Sequence, residues 1–281
     1  MTANSGWLGG DQANGGRRSL IGMVNVRALP GTPRHELSMQ SIIEKAVEEA
    51  RSLAEAGFHT LILENMHDAP YLKGGAVGPE VCAAMSAVAV AVRQALPEIP
   101  VGIQILGGAN EMALAVAHAT GLQFIRAEGF VFSAISDEGL IADAAAGPLL
   151  RYRRMIGADG PGGVRILADI KKKHSSHAIT ADVDLAETAR AADFFGADGL
   201  IVTGVATGRE TNPDDLREVR SATPHLPLLV GSGVTPANAA ALLEYADGLI
   251  VGSSLKVDGV WSNELDPKRI EALTKAAPGS A

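Results

Sequence analysis

The sequence predicts an α/β chain closed into a single-domain (β/α)8 barrel of the TIM type, and three observations carry that expectation. Eight short β-rich runs recur along the 281 residues. Alanine- and leucine-rich stretches with helical spacing separate them, an alternation that implies parallel strands because each return needs a crossover helix. The connections are long after the strands and brief after the helices. A doubly wound sheet is the alternative, but no GxGxxG follows the first strand, and eight βα units in about 250 residues suit a closed barrel.

The first run, LIGMVNV (20–26), leads through VRALPGTPRHEL into SMQSIIEKAVEEARSLAEAG, where Ile42, Ala46, Glu49, Leu53 and Ala56 step by threes and fours and Gly57 supplies a stop. TLILE (60–64) follows, with the loop NMHDAPYLKGGAVG, and then VGIQIL (101–106). FIRAE (124–128) opens the longest connection, GFVFSAISDEGLIADAAAG, whose Phe130, Val131 and Phe132 suit either a lid over the barrel mouth or a fixed plug on its rim. VRILADI (164–170) runs into KKKHSSHAIT, and GLIV (199–202), PLLV (227–230) and GLIV (248–251) complete the set. GADGLIVTG and YADGLIVGS resemble each other 49 residues apart, the spacing of two βα units. The barrel is therefore expected over residues 20–277, behind a flexible Gly-, Asn- and Ser-rich arm at residues 1–19.

Composition narrows the function classes. Lys and Arg total 24 against 32 acidic residues, and a net charge of −8 argues against nucleic acid and anionic membranes as partners. No apolar run approaches a membrane span, and no signal-peptide core is present, so a cytoplasmic protein is expected. The single cysteine, Cys82, sits among alanines as a small hydrophobe. The expected partner is a small molecule, with a homo-oligomer as the expected assembly.

Polar residues break the apolar runs at one level. Asn25 and Arg27 end the first strand, Glu64 and Asn65 the second with His67 and Asp68 above them, Gln104 lies on the third, Arg126 and Glu128 end the fourth, and Asp169 and Lys171 the fifth. In a barrel those carboxyl ends form the active-site rim. Alternation sets Arg126 with Glu128 on one face, and Asp169 with Lys171, as two acid–base pairs aimed into the mouth; two structural ion pairs are the alternative. His174 and His177 have metal-ligand types, but three lysines precede them, so no metal and no cofactor is expected. Lys171 is the lysine expected to point inward, and an imine would require its pKa to be depressed. After the seventh strand, Gly231, Ser232 and Gly233 precede Thr235 as a helix cap and Pro236 in the first turn, and Gly252, Ser253 and Ser254 face them after the eighth. That arrangement predicts an anion cradle.

Taken together, MVNVRALPGTP, LENMHDAPY, GIQILGGAN, IRAEGFVF, ADIKKKHSSH and GSGVTPAN resemble the BtpA/SgcQ family of TIM-barrel proteins over roughly residues 20–275. The resemblance implies a shared rim site. It also implies three function classes: photosystem I accumulation, a place beside sugar-metabolism genes, and nucleosidase activity. The leading expectation is hydrolysis of an N-glycosidic bond in a ribosyl compound. Such a reaction passes through an oxocarbenium-like state, for which Glu64, Glu128 and Asp169 supply carboxylates and His67 or Lys171 a proton donor. Asn25, Arg27, Asn65, Asp68, Gln104 and Arg126 would bind substrate, with Gly231, Ser232, Gly233, Gly252 and Ser253 as the cradle. A sugar-phosphate aldolase, epimerase or isomerase is the alternative enzyme, and a non-enzymatic photosystem assembly factor the alternative class.

Overall fold

A computed structural model describes residues 18–204 and 210–277. Eight parallel strands close a barrel: β1 (Ser19–Asn25), β2 (Thr60–Glu64), β3 (Val101–Gln104), β4 (Phe124–Ala127), β7 (Arg165–Ile170), β9 (Gly199–Val202), β10 (Leu228–Val230) and β11 (Gly248–Val251). β1 pairs with both β2 and β11, and this closes the cylinder. The expected strand boundaries hold to within one or two residues. The first strand begins at Ser19, one residue inside the expected arm, and residues 1–17 of that arm lie outside the described residues.

The helices follow from local chemistry. α1 (Met39–Glu55) starts where Ser38 accepts a hydrogen bond from the Ser41 amide, and it buries the face bearing Ile42, Ala46, Glu49, Ala50 and Leu53. α2 (Pro79–Ala95) opens on a proline, whose missing N–H is no loss in a first turn. α3 (Asn110–Thr120), α4 (Ala146–Met155) and α5 (Leu185–Phe194) continue the outer ring. α6 (Pro213–Ala222) and α8 (Pro267–Ala276) repeat the cap-then-proline start with Asn212 and Asp266. α7 is only Ala239–Leu242. Here the structure departs from expectation: Thr235 is not the helix cap, and the Asn238 side chain instead accepts from the Thr235 amide and donates to the Gly233 carbonyl.

Two apolar clusters divide the interior. One fills the space between strands and helices, and the other lies inside the barrel, built from Ile21, Met23, Ile62, Phe124, Leu167, Ile201, Leu229 and Ile250. β3 contributes Gly102 to this layer, and the Phe124 ring occupies the space a side chain there would need; a Cβ on Gly102 would lie 2.2 Å from the ring. Each buried aliphatic or aromatic side chain contributes on the order of 1.5–3 kcal/mol. The layer is a solid floor, so any ligand must sit above it, at the carboxyl ends of the strands.

A feature the sequence did not predict as structure covers part of that rim. β5 (Ala134–Ser136), β6 (Gly139–Ile141) and β8 (Ser175–Ser176) form a small antiparallel sheet inside the loops after β4 and β7. Phe130 is fully buried in the outer core, which favours the fixed-plug reading for its part of the loop, while Lys73 Nζ donates to the Leu140 carbonyl (2.6 Å) and ties the hairpin to the loop after β2.

Candidate active site

The strand register sets the polar level. Asn25 lies beside Glu64, and Glu64 beside Gln104. Each is two residues above an inward position of its own strand, Met23, Ile62 or Gly102, so strand alternation aims all three into the barrel. Arg126 and Asp169 stand likewise above Phe124 and Leu167. Five of the eight strand ends thus deliver polar side chains onto an apolar floor.

Neighbouring strands, and not positions along one strand, supply the ion pairs. Arg126 grips Asp169 through Nε (3.2 and 3.1 Å) and Nη2 (3.0 Å), with the Asp169 side chain fully buried. Lys172 pairs with Glu128 at 2.9 Å, and Gln104 Nε2 donates to the other Glu128 oxygen at 2.8 Å. The expected pairings of Arg126 with Glu128 and of Asp169 with Lys171 therefore do not form. Residues two apart on a strand are separated by roughly 6.6 Å, whereas adjacent strands lie about 4.8 Å apart, so the cross-strand partner is nearer. The carboxylates of Glu128 and its neighbour Glu138 hold Lys172 charged in spite of burial.

Lys171 is turned away from the mouth. Its backbone has φ +46°, its Nζ donates to the carbonyls of Val183 and Thr180 later in the loop after β7, and it does not line the basin. The continuation past β7 is no longer a strand, so alternation ceases to govern it, and Lys173 is the lysine that reaches the basin.

The basin is a cavity of about 240 Å³. Asn25, Glu64, Arg126 and Lys173 form one side of its wall, and the turns Gly231–Thr235 and Gly252–Ser254 form another, with Trp261 and Arg269 at the edge. Glu64 is 8% exposed, and its carboxylate takes no hydrogen bond from a described residue. Burial pushes its carboxyl above the usual range, and nearby Arg126 and Lys173 offset this only in part. Burial and Arg126 push the Lys173 amine down.

The glycine-rich wall has the properties of an anion cradle. Gly233 has φ +70°, a left-handed conformation that favours glycine, and a Cβ on Gly231 would sit 2.6 Å from Ile201 and 3.2 Å from Arg126. The amides of Gly233, Val234, Ser253 and Ser254 have no acceptor among the described residues. Ser254 Oγ is buried in the cavity wall without a hydrogen-bond partner among the described residues. Arg269, in the first turn of α8, supplies a cation at the same wall. Since α7 is too short and begins too late to offer a dipole, the groups at this wall with the chemistry to meet an anion are turn amides and this arginine. Ser232 also lines the cavity, and its Oγ accepts from the Gly204 amide at 2.7 Å.

Several expected site residues are structural in their contacts and do not line this cavity. Asn65 accepts from the Leu106 amide and donates to Asp68, which also accepts from the Leu29 amide, so the pair staples three rim loops together. Arg27 donates to the Ser262 carbonyl and pairs with Glu264 at 2.7 Å. His67 packs edge-on against Trp261, with ring centroids 5.0 Å apart. Burial and Arg27 push its pKa down to about 4, which leaves the imidazole neutral near pH 7 and unsuited to donate a proton there. Glu128 and Asp169 hold the basin's flank in their ion pairs. Ser254 lies in the cradle wall where the sequence places it, whereas Trp261, Arg269 and Lys173 have no place among the site residues the sequence suggests. For Arg269 a signal existed, since its helix follows the eighth strand and its first turn must lie beside the cradle; for Trp261 nothing in its flanking residues gave one.

The fold and this rim basin define a (β/α)8-barrel protein with acid, amine and anion-cradle groups around one hollow. The chain belongs to the BtpA family, whose profile matches residues 16–279. It is 45% identical over 266 residues to a Caenorhabditis elegans protein described as uncharacterized and mitochondrial, covering 93% of this chain and 94% of the relative. It is 37% identical over 257 residues to the photosystem I biogenesis protein BtpA of Synechocystis, covering 92% and 87%. Among solved structures it resembles thiamine phosphate pyrophosphorylase from Pyrococcus furiosus (TM-score 0.57, 16% identity, covering 93% and 96%). It also resembles phosphoribosyl anthranilate isomerase from Thermus thermophilus (TM-score 0.56, 13% identity, covering 92% and 97%). At such identities these two likenesses bear on the fold alone. No helix among the described residues is long and apolar enough to cross a membrane.

Proposed function

We propose that the protein is an acid–base enzyme that moves a proton on a small phosphorylated sugar-like substrate, in the isomerase, epimerase or lyase class. The observation that carries this reading is the shared cavity: Glu64, buried and without a hydrogen bond from a described residue, lines the same hollow as the unsatisfied turn amides, Ser254 and Arg269. A phosphate held on one wall fixes the substrate's reacting carbons over the other, and a carboxyl raised toward neutrality suits both taking and returning a proton. Hydrolysis of an N-ribosyl bond is supported less well. It calls for two working carboxylates, and Asp169 and Glu128 are committed to Arg126 and to Lys172 with Gln104. The indole of Trp261 in the cavity wall is the one contact that favours it, as a flat apolar face for a base.

The test is incubation with phosphorylated aldoses and ketoses in D2O, reading loss of the C–H signal beside the carbonyl by proton NMR. Exchange that requires the phosphate and disappears in Glu64→Gln supports the proposal. Release of free base from nucleosides in a parallel assay, without such exchange, would replace it with the hydrolytic reading. The Synechocystis relative's name ties that protein to photosystem I biogenesis. If the present chain kept its barrel for a non-catalytic task of that kind, Glu64→Gln would leave its cellular function unchanged.

A further inference from the structure

The acid–base reading gives Lys173 no task, yet its position is specific. Its side chain lines the cavity together with Glu64 and Arg126, and its amine makes no hydrogen bond or ion pair with a described residue. The two preceding lysines are both tied down, Lys171 by carbonyls and Lys172 by Glu128. The backbone beneath it is fixed, because the Lys173 amide donates to Thr203 Oγ1 at 2.9 Å and Lys171 and His174 on either side have positive φ. An amine brought into a partly closed hollow beside a guanidinium, with its cationic form disfavoured by both, is a nucleophile in waiting.

We propose that Lys173 forms an imine with the carbonyl carbon of a phosphorylated aldehyde or ketone whose phosphate occupies the Gly233–Val234, Ser253–Ser254 and Arg269 cradle across the same cavity. The inference rests on the acid–base reading above and names its substrate class. The Lys173 nitrogen lone pair attacks the carbonyl carbon, and the carbonyl π pair moves to oxygen, which takes up the proton left by the attacking nitrogen. The resulting carbinolamine hydroxyl leaves as water, carrying the proton supplied by the Glu64 carboxyl, while the nitrogen lone pair forms the C=N bond. In sum, amine, carbonyl and one proton give iminium and water, with no oxidant or reductant required. The iminium then accepts the electron pair of a neighbouring C–H or C–C bond, which is what an isomerase or lyase must accommodate.

Pyridoxal 5′-phosphate is a probe of this chemical class. The full chain is treated with it, reduced with sodium borohydride and mapped by peptide mass spectrometry. Lys173 is expected to carry the reduced adduct in preference to Lys171, Lys172 and the exposed Lys275, with at least tenfold less labelling by pyridoxal, which lacks the phosphate, and with protection by inorganic phosphate. Lys173→Met and Lys173→Arg should both lose the adduct, and circular dichroism with thermal unfolding verifies that each variant folds. Labelling spread over surface lysines, or unchanged in both variants, overturns the proposal. Equal labelling of Lys173 by pyridoxal overturns the cradle and the acid–base reading with it. Phosphate-dependent proton exchange with Lys173 unlabelled overturns the imine alone.

Discussion

Replacing Lys256 by methionine should be among the costliest single changes outside the cavity. Lys256 is 1% exposed, and its ammonium lies 2.6 Å from Glu49, itself 7% exposed. The second Glu49 oxygen accepts from the Asn25 amide at 3.3 Å. Removing the cation strands a buried carboxylate, a change that costs about 3–5 kcal/mol. At about 2–4 °C per kcal/mol for a large domain, the melting temperature should fall by roughly 6–20 °C. Glu49→Gln combined with Lys256→Met should recover most of that loss, because the glutamine oxygen continues to accept from Asn25 while the uncompensated charge is gone. Urea or thermal unfolding of the four proteins in the double-mutant cycle measures the coupling, expected at about 2 kcal/mol or more. A single variant that costs under about 1 kcal/mol, or a double variant as unstable as the sum of the singles, would refute the assignment of this pair as a mutually dependent clamp.

Three further outcomes follow from the cavity. Glu64→Gln should stabilise the protein at neutral and alkaline pH. The native pKa lies above the ordinary 4.5, so the stability that Glu64 contributes is present at acid pH and is lost as pH rises through the native value; the variant's advantage in melting temperature should grow from pH 4 to 8, and a constant gap would contradict this. Gly231→Ala brings a methyl within 2.6 Å of Ile201 and 3.2 Å of Arg126, and overpacking of that kind costs about 1–3 kcal/mol, a drop of several degrees that a melting curve without change would disprove. On the proposed cradle, Arg269→Ala would remove a charge-assisted contact to the phosphate worth about 1.5–3 kcal/mol, so calorimetric affinity for ribose 5-phosphate should fall by about 10- to 150-fold, and an unaltered affinity would remove Arg269 from the cradle.

The barrel was legible because its signal is repetitive. Eight apolar runs with helical spacers point to one topology, and a one-residue error at a strand end changes nothing, as at Ser19. The level of the site was legible for the same reason, since Asn25, Glu64, Gln104, Arg126 and Asp169 each break an apolar run at the height where strands end. Beyond the last strand residue, strand alternation no longer governs where side chains point. Alternation picked Lys171, but a left-handed backbone there re-aims the next residues, and Lys173 enters the basin in its place. The hairpin of β5 and β6 was hidden inside a loop, because strands of three residues are too short for periodicity to register. Asn65, Asp68 and His67 were read by residue type, yet what they touch depends on loops brought in from elsewhere in the chain: Leu29, Leu106 and Trp261.

Those same contacts explain why so many polar groups crowd a rim that leaves few of them free. Long loops cannot pack over an open basin without satisfying their own amides, and Asn65 and Asp68 do this for the segments that begin at Leu106 and Leu29. Asp169 and Glu128 hold Arg126 and Lys172 in fixed positions, so that two cations stay where burial alone would expel them. Lys256 and Glu49 fasten the start of the segment that carries Trp261, and Asn25 holds the Trp261 carbonyl at 2.9 Å. With these groups committed, Glu64 and Lys173 remain as an acid and an amine without described partners, facing turn amides that also lack acceptors. Leaving such groups unpaired in a partly buried hollow costs stability, and a fold that satisfies its neighbouring polar groups so thoroughly has reason to leave these open only if a ligand completes them.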